Sequence, residues 1–144
     1  MLFLTHYLPD DPENSQMINL ASLILGQNGI WGDLLSVSEN GIKLFGEVIS
    51  TYKKVRDDIS EASPRVTGEP GETYEVHEKI NPDTGCGTVV LFSNLPGSYF
   101  YRVKQKVDAK VTVFGNAKVE VCDGQVEITA IYSKPNAVIV FFGI

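Results

Sequence analysis

Acid–base chemistry near neutral pH draws first on histidine, and this chain of 144 residues has two, His6 and His77. His77 lies in Glu75-Val76-His77-Glu78, where strand alternation would put Glu75 and His77 on one face and Val76 and Glu78 on the other. An imidazole beside a carboxylate is a metal-ligand or proton-transfer pair; the same spacing is also the polar face of an edge strand. The stretch Gly26-Gln27-Asn28-Gly29-Ile30-Trp31-Gly32-Asp33-Leu34 holds the only tryptophan, a carboxylate and three glycines within seven residues. It reads as a loop that brings side chains to a surface. Trp31 could stack on a ring-shaped polar substrate while Asp33 accepts its hydroxyl protons; equally, Trp31 packs a tight turn and Asp33 helps to cap a helix. Tyr99 and Tyr101 share one strand face and offer either a sugar-stacking platform or core packing, with core packing favoured.

Cys86 and Cys122 stand 36 residues apart with no histidine close in sequence, so they form no metal or redox spacing. Each falls in a run that reads as strand, which favours a buried free thiol over a disulfide. The chain has no GxSxG, HExxH, P-loop or GxGxxG motif and no local signature of a catalytic triad. No catalytic residue, metal site or cofactor is therefore assigned.

The elements that would position these residues divide at Thr73. Asp11 and Pro12 form a helix start, followed by Met17, Leu20, Ala21 and Ile24 at helical spacing, with Gly26 as the stop. Leu23-Ile24-Leu25 could instead be a short buried strand. Ser36-Val37-Ser38-Glu39 has the form of a capping box. It opens an amphipathic helix of about 20 residues with Ile42, Phe45, Val48, Ile49, Tyr52 and Ile59 on one stripe, ending before Ser63-Pro64. Residues 62–72 are rich in Pro and Gly and read as a linker.

From Thr73 the hydrophobic period becomes two. Strands are expected at 73–80, 87–92, 98–104, 110–114, 117–122, 125–131 and 137–142, separated by turn signals, of which Asp123-Gly124 is the strongest. Seven short strands without intervening helix predict an antiparallel β-sandwich preceded by an α-helical segment, a mainly β fold. The run 137–142 is apolar on both faces and belongs in the sheet centre or under a second cover.

Charge follows the same division. The net charge is −6; residues 1–72 hold 11 acidic and 5 basic side chains, and residues 73–144 hold 7 of each. An acidic chain without a basic cluster is a poor nucleic-acid binder. No apolar run is long enough for a transmembrane helix, and Met1 to Leu8 lacks the charge pattern of a signal peptide, so a soluble protein is expected, with its compartment open.

The order of elements resembles the C-terminal end of α-galactosidase-like (melibiase-type) glycoside hydrolases. The resemblance rests on Leu20 to Leu34, the helix motif Tyr52-Lys53-Lys54-Val55-Arg56-Asp57-Asp58, the strand Gly87-Thr88-Val89-Val90-Leu91-Phe92 and the later Pro96-Gly97. It implies that residues 1–61 correspond to the last elements of a (β/α)8 barrel and residues 73–144 to the antiparallel domain that follows it. It also implies that Gln27 to Asp33 lies on the substrate side of the barrel, with Trp31 and Asp33 as substrate contacts. The family's two catalytic aspartates lie on earlier strands and have no counterpart here. The chain is accordingly expected to be a noncatalytic, structural part of a glycoside hydrolase, inactive alone, whose partner is a catalytic barrel or another chain against the helical half. Carbohydrate-binding and protein-interaction modules are the alternatives.

Overall fold

Alternation from Thr73 onward gives each strand one face for a core, and the computed structural model shows two sheets closing on that face. It describes the backbone of residues 2–7, 13–32, 38–69 and 73–144, and the side chains of all these except 2–7 and 27–32. Strands β1 (Leu2–Tyr7) and β2 (Gln27–Gly32) flank helix α1 (Glu13–Ile24), and helix α2 (Glu39–Glu61) follows. Then come β3 (Arg65–Thr67), β4 (Tyr74–Ile80), β5 (Gly87–Ser93), β6 (Gly97–Arg102), β7 (Val111–Phe114), β8 (Ala117–Cys122), β9 (Gln125–Tyr132) and β10 (Asn136–Phe142). The strands after α2 form a five-stranded sheet, β3-β4-β5-β10-β7, and a three-stranded sheet, β6-β9-β8, with every pairing antiparallel. All seven expected strands are present. The eighth, β3, lies inside the stretch read as linker and pairs with β4, Val66 opposite His77.

The apolar run 137–142 sits between β5 and β7, and both of its faces are covered. Val138, Val140 and Phe142 join Val76, Val89, Leu91 and Ile128 between the two sheets. Ala137, Ile139 and Phe141 face the other way, with Val90, onto Met17, Leu20, Leu23 and Ile24 of α1 and Val48, Val55 and Ile59 of α2. The sandwich therefore carries the helices on the outer face of its larger sheet. The β8–β9 hairpin turns through Asp123 (φ 52°) and Gly124 (φ 77°), the two positive angles of a type I′ turn.

The N-terminal half holds more strand than its sequence suggests. β1 and β2 pair in parallel, with Leu4 opposite Gly29 and Tyr7 opposite Gly32, so the segment read as a glycine-rich loop is a strand. Glycine is a poor strand former alone, and pairing with β1 overrides that tendency. Leu23 and Ile24 are helical and buried, which resolves the strand alternative for that run. Asp11 and Pro12 lie outside the described residues. The cap of α2 is Ser38, whose Oγ accepts from the Gly41 amide at 3.1 Å, two residues later than the box drawn from Ser36. The helix stops at Ala62, in extended conformation, because Pro64 disfavours a helical residue before it. No helix among the described residues is long and apolar enough to cross a membrane.

Phe141 is fully buried between sheet and helices and meets Phe114 edge to face at 6.0 Å between ring centres. Phe141→Ala should lower the unfolding free energy by about 3–5 kcal/mol, read from urea denaturation.

Candidate functional site

Parallel pairing of β1 with β2 fixes where a ligand could meet the N-terminal half. Both strands run toward one end, and in the chain each is followed by a helix, α1 from Glu13 and α2 from Glu39. In parallel α/β units this is the end where binding loops gather, because helix N-terminal amides and strand-end side chains converge there. Trp31 is the second-last residue of β2, in register with His6. Asp33 lies outside the described residues. A cleft of about 450 Å³ opens at the helix starts, bordered by Glu13, Gln16, Ser38, Asn40 and Gly41.

Glu75 and His77 do share a face, and the Glu75 carboxylate is hydrogen-bonded to His77 Nε2. Their strand is not an edge, since β3 covers it. The His77 ring meets Phe92 edge-on at 5.9 Å. Lys79, next on that face, donates from Nζ to the Leu25 carbonyl at 3.1 Å, placing a cation at the C-terminal end of α1. Partial burial holds the Lys79 pKa below its usual value. The row thus binds strand to helix layer. Among the described residues no group of three His, Cys, Asp or Glu side chains is arranged to hold a metal ion.

The tyrosines occupy the sandwich interior. Tyr99 stacks on Tyr74 at 4.7 Å and tilts against Tyr132 at 5.8 Å. Tyr101 is buried and donates its hydroxyl to Glu78 at 2.6 Å, so its ring has no open face for a sugar; the core role holds for it. Phe100, between them, points outward and is exposed. Burial raises the pKa of Tyr74 to about 12 and raises those of Tyr101 and Tyr132 as well, with the bond to Glu78 adding to the shift of Tyr101. Cys86 and Cys122 are both free thiols. Neither is fully buried as expected: Cys86 is half-buried in the turn before β5, and Cys122 is exposed where β8 ends.

Glu78 is the polar residue whose importance sequence reading missed. Its carboxylate is 1% exposed and accepts three bonds, from the Tyr101 hydroxyl, the Lys104 amide at 3.1 Å and the Gln105 amide at 2.8 Å. A carboxyl group this deeply buried is tolerable only with such a set of hydrogen-bond partners. Alternation does place Glu78 on the face of the buried Val76 and Ile80, and a glutamate at a core position was the available signal. Its bonds fasten the segment after β6 to β4, joining the two sheets. Asn81, also buried, donates from Nδ2 to Asp58 at 3.0 Å, and Thr84 donates to the same Asp58 oxygen at 2.8 Å, which pins the end of α2 to the β4–β5 turn. These groups satisfy one another and form a scaffold.

No family model matches the chain, and no curated protein matches it. Among solved structures it is similar to a doubly substituted GH36 alpha-galactosidase, AgaA from Geobacillus stearothermophilus, in complex with raffinose. The TM-score is 0.64 at 14% sequence identity. The match covers 86% of this chain and 18% of the alpha-galactosidase chain, so the likeness is one of fold over less than one-fifth of that enzyme.

Glu78→Gln, whose NH2 group must face at least one of the donors that the carboxylate now accepts from, should cost about 3 kcal/mol of stability; Tyr101→Phe, which removes one donor, about 2 kcal/mol, both read from urea midpoints. The interior tyrosines make the fold sensitive to alkali. Their folded-state pKa values lie above the unfolded value of 10.0, so their contribution is complete below pH 10 and is lost as pH rises toward and beyond about 12. Tyrosinate absorbance of Tyr74, Tyr101 and Tyr132 should appear together with unfolding, as a cooperative step.

Proposed function

We propose that this chain is a noncatalytic portion of a glycoside hydrolase: residues 1–61 are the closing elements of a (β/α)8 barrel, residues 62–72 the junction, and residues 73–144 a β-domain that supports the barrel. The single observation that carries this reading is the β1–β2 pair. Parallel strands occur almost always in larger sheets covered on both faces. Here α1 meets both strands from one side, and among the described residues no third strand pairs with either edge. A barrel supplies what such a pair requires: a parallel neighbour on each edge and an interior. The fold likeness to part of an alpha-galactosidase supports the same assignment.

In that setting Trp31 and Asp33 stand at the substrate side, as a stacking surface and a hydroxyl acceptor, and the partner of this chain is the catalytic barrel. A retaining glycosidase needs two carboxyl groups about 5–5.5 Å apart across the scissile bond. Those groups belong to the rest of the barrel. The role of this portion is mechanical: α1 and α2 bury one face against the five-stranded sheet and hold the closing strands in place.

Two measurements test the proposal. The purified chain should not turn over aryl α-galactosides above blank. In hydrogen exchange, amides of β1 and β2 should exchange at least about 100-fold faster than those of β5 and β10, because among the described residues no strand flanks their pair. Turnover that persists through repurification, or β1–β2 protection equal to that of β10 in the monomer, would overturn it.

A further inference from the structure

Edge strands that stay alone are kept short, bulged, covered or given an inward-pointing charge, because their unpaired N–H and C=O groups invite another strand. The edges of the sandwich are β3 and β7 in the larger sheet and β6 and β8 in the smaller. β3 and β7 are three and four residues long. In β6 the Phe100 carbonyl already accepts from the Tyr74 hydroxyl at 3.3 Å. β8 has none of these protections. Its six residues pair with β9 without a bulge, and among the described residues no strand pairs with its other side. Its inward residues, Ala117, Val119 and Val121, are all apolar, and Val121 is 66% exposed. The two-residue turn at Asp123-Gly124 makes Cys122 and Gln125 a hydrogen-bonded pair, and the Ile131 amide, donating to the Asn116 carbonyl at 3.0 Å, keeps the same phase. Lys118, Glu120 and Cys122 therefore bond β9, while Ala117, Val119 and Val121 turn their N–H and C=O groups to the open side.

We infer that this edge is a homodimer interface, at which β8 of a second copy adds antiparallel about a twofold axis, with Val119 opposite Val119 and Ala117 opposite Val121. In this register the open N–H and C=O groups of the two copies meet, and the apolar inward row continues from one copy to the next. It also sets Lys118 of each copy opposite Glu120 of the other, in the close, non-hydrogen-bonded positions where side chains interact most. The registers two residues to either side keep the same bonding phase, but they put Lys118 against Lys118 or Glu120 against Glu120, so the charges select one. Glu120 has a further need of a cation. Arg102, Glu127 and Glu120 stand in register across the sheet, and Arg102 is taken by Glu127, to which it donates from Nη2 at 2.7 Å. Within the chain Glu120 is reached by Lys118 at 2.7 Å along its own strand, and Lys118 of the second copy completes the row. The interface lies in the sheet across the sandwich from the helices, so it goes beyond the supporting role proposed above and leaves β1 and β2 untouched.

Sedimentation equilibrium of the full chain should show monomer and dimer with a micromolar dissociation constant, as fits a small interface. Lys118→Glu and Glu120→Lys each set like charges opposite one another twice, and each should weaken the dimer about tenfold. The two substitutions move the net charge in opposite directions, so a loss in both reports local pairing. An equimolar mixture of the two variants restores opposite charges at both positions and should dimerise within about threefold of the parent affinity. Both side chains are exposed, so the variants keep the fold. A chain that stays monomeric at about 1 mM, a dimer that neither substitution weakens, or a mixture no tighter than either variant alone overturns the interface. The second of these outcomes is what pairing through β1 and β2 would give. The supporting role is read separately, from exchange at β1 and β2.

Discussion

Everything in this molecule leans on one strand that serves two cores. Successive residues of β10 alternate between the space inside the sandwich and the space under the helices, so Val138, Val140 and Phe142 build one core while Ala137, Ile139 and Phe141 build the other. A sheet with one apolar face would have left α1 and α2 nowhere to bury their stripes, and helices of this length gain most of their stability from such burial. Because β10 and its neighbour β5 are buried on both faces, loss of either core exposes the back of the other. Helix layer and sandwich therefore form one cooperative body.

Polar fastenings then fix how the layers are aligned. Glu78 draws the chain after β6 onto β4, Asn81 and Thr84 hold Asp58 at the end of α2, and Lys79 meets the last carbonyls of α1. Apolar contact alone would let helices slide over a sheet with little penalty. Directional bonds at the helix ends remove that freedom, which matters for a portion proposed to hold strands of a barrel in register.

The sandwich was legible because period two, glycine turns and the Asp123-Gly124 dipeptide are local signals, and here local preference agrees with the final pairing. The double burial of residues 137–142 was legible for the same reason. The N-terminal half was not. Three glycines in 26–32 argue for a loop, and only the distant partner β1 makes residues 27–32 a strand; parallel pairing leaves no short-range mark. Ser36 and Ser38 both suit a helix start, and the geometry of Gly41 selects the second. As to sites, the Glu75–His77 pairing followed from alternation, whereas the partners of Glu78, the Tyr101 hydroxyl and the Lys104 and Gln105 amides, lie far along the chain and leave no mark near residue 78.

The charge division takes on another meaning beside the edges of β1 and β2, which pair with no third strand among the described residues. An open strand edge is a template for another copy of the same chain. The half that carries those edges also carries the whole excess of acid, 11 acidic side chains against 5 basic, while the sandwich half is neutral. Copies approaching edge to edge would meet a like-charged surface, screened within about 8 Å at physiological salt. Colloidal stability of the free chain is thereby tied to ionic strength: the repulsion that keeps edges apart in dilute buffer fades in salt, just where backbone pairing retains its strength.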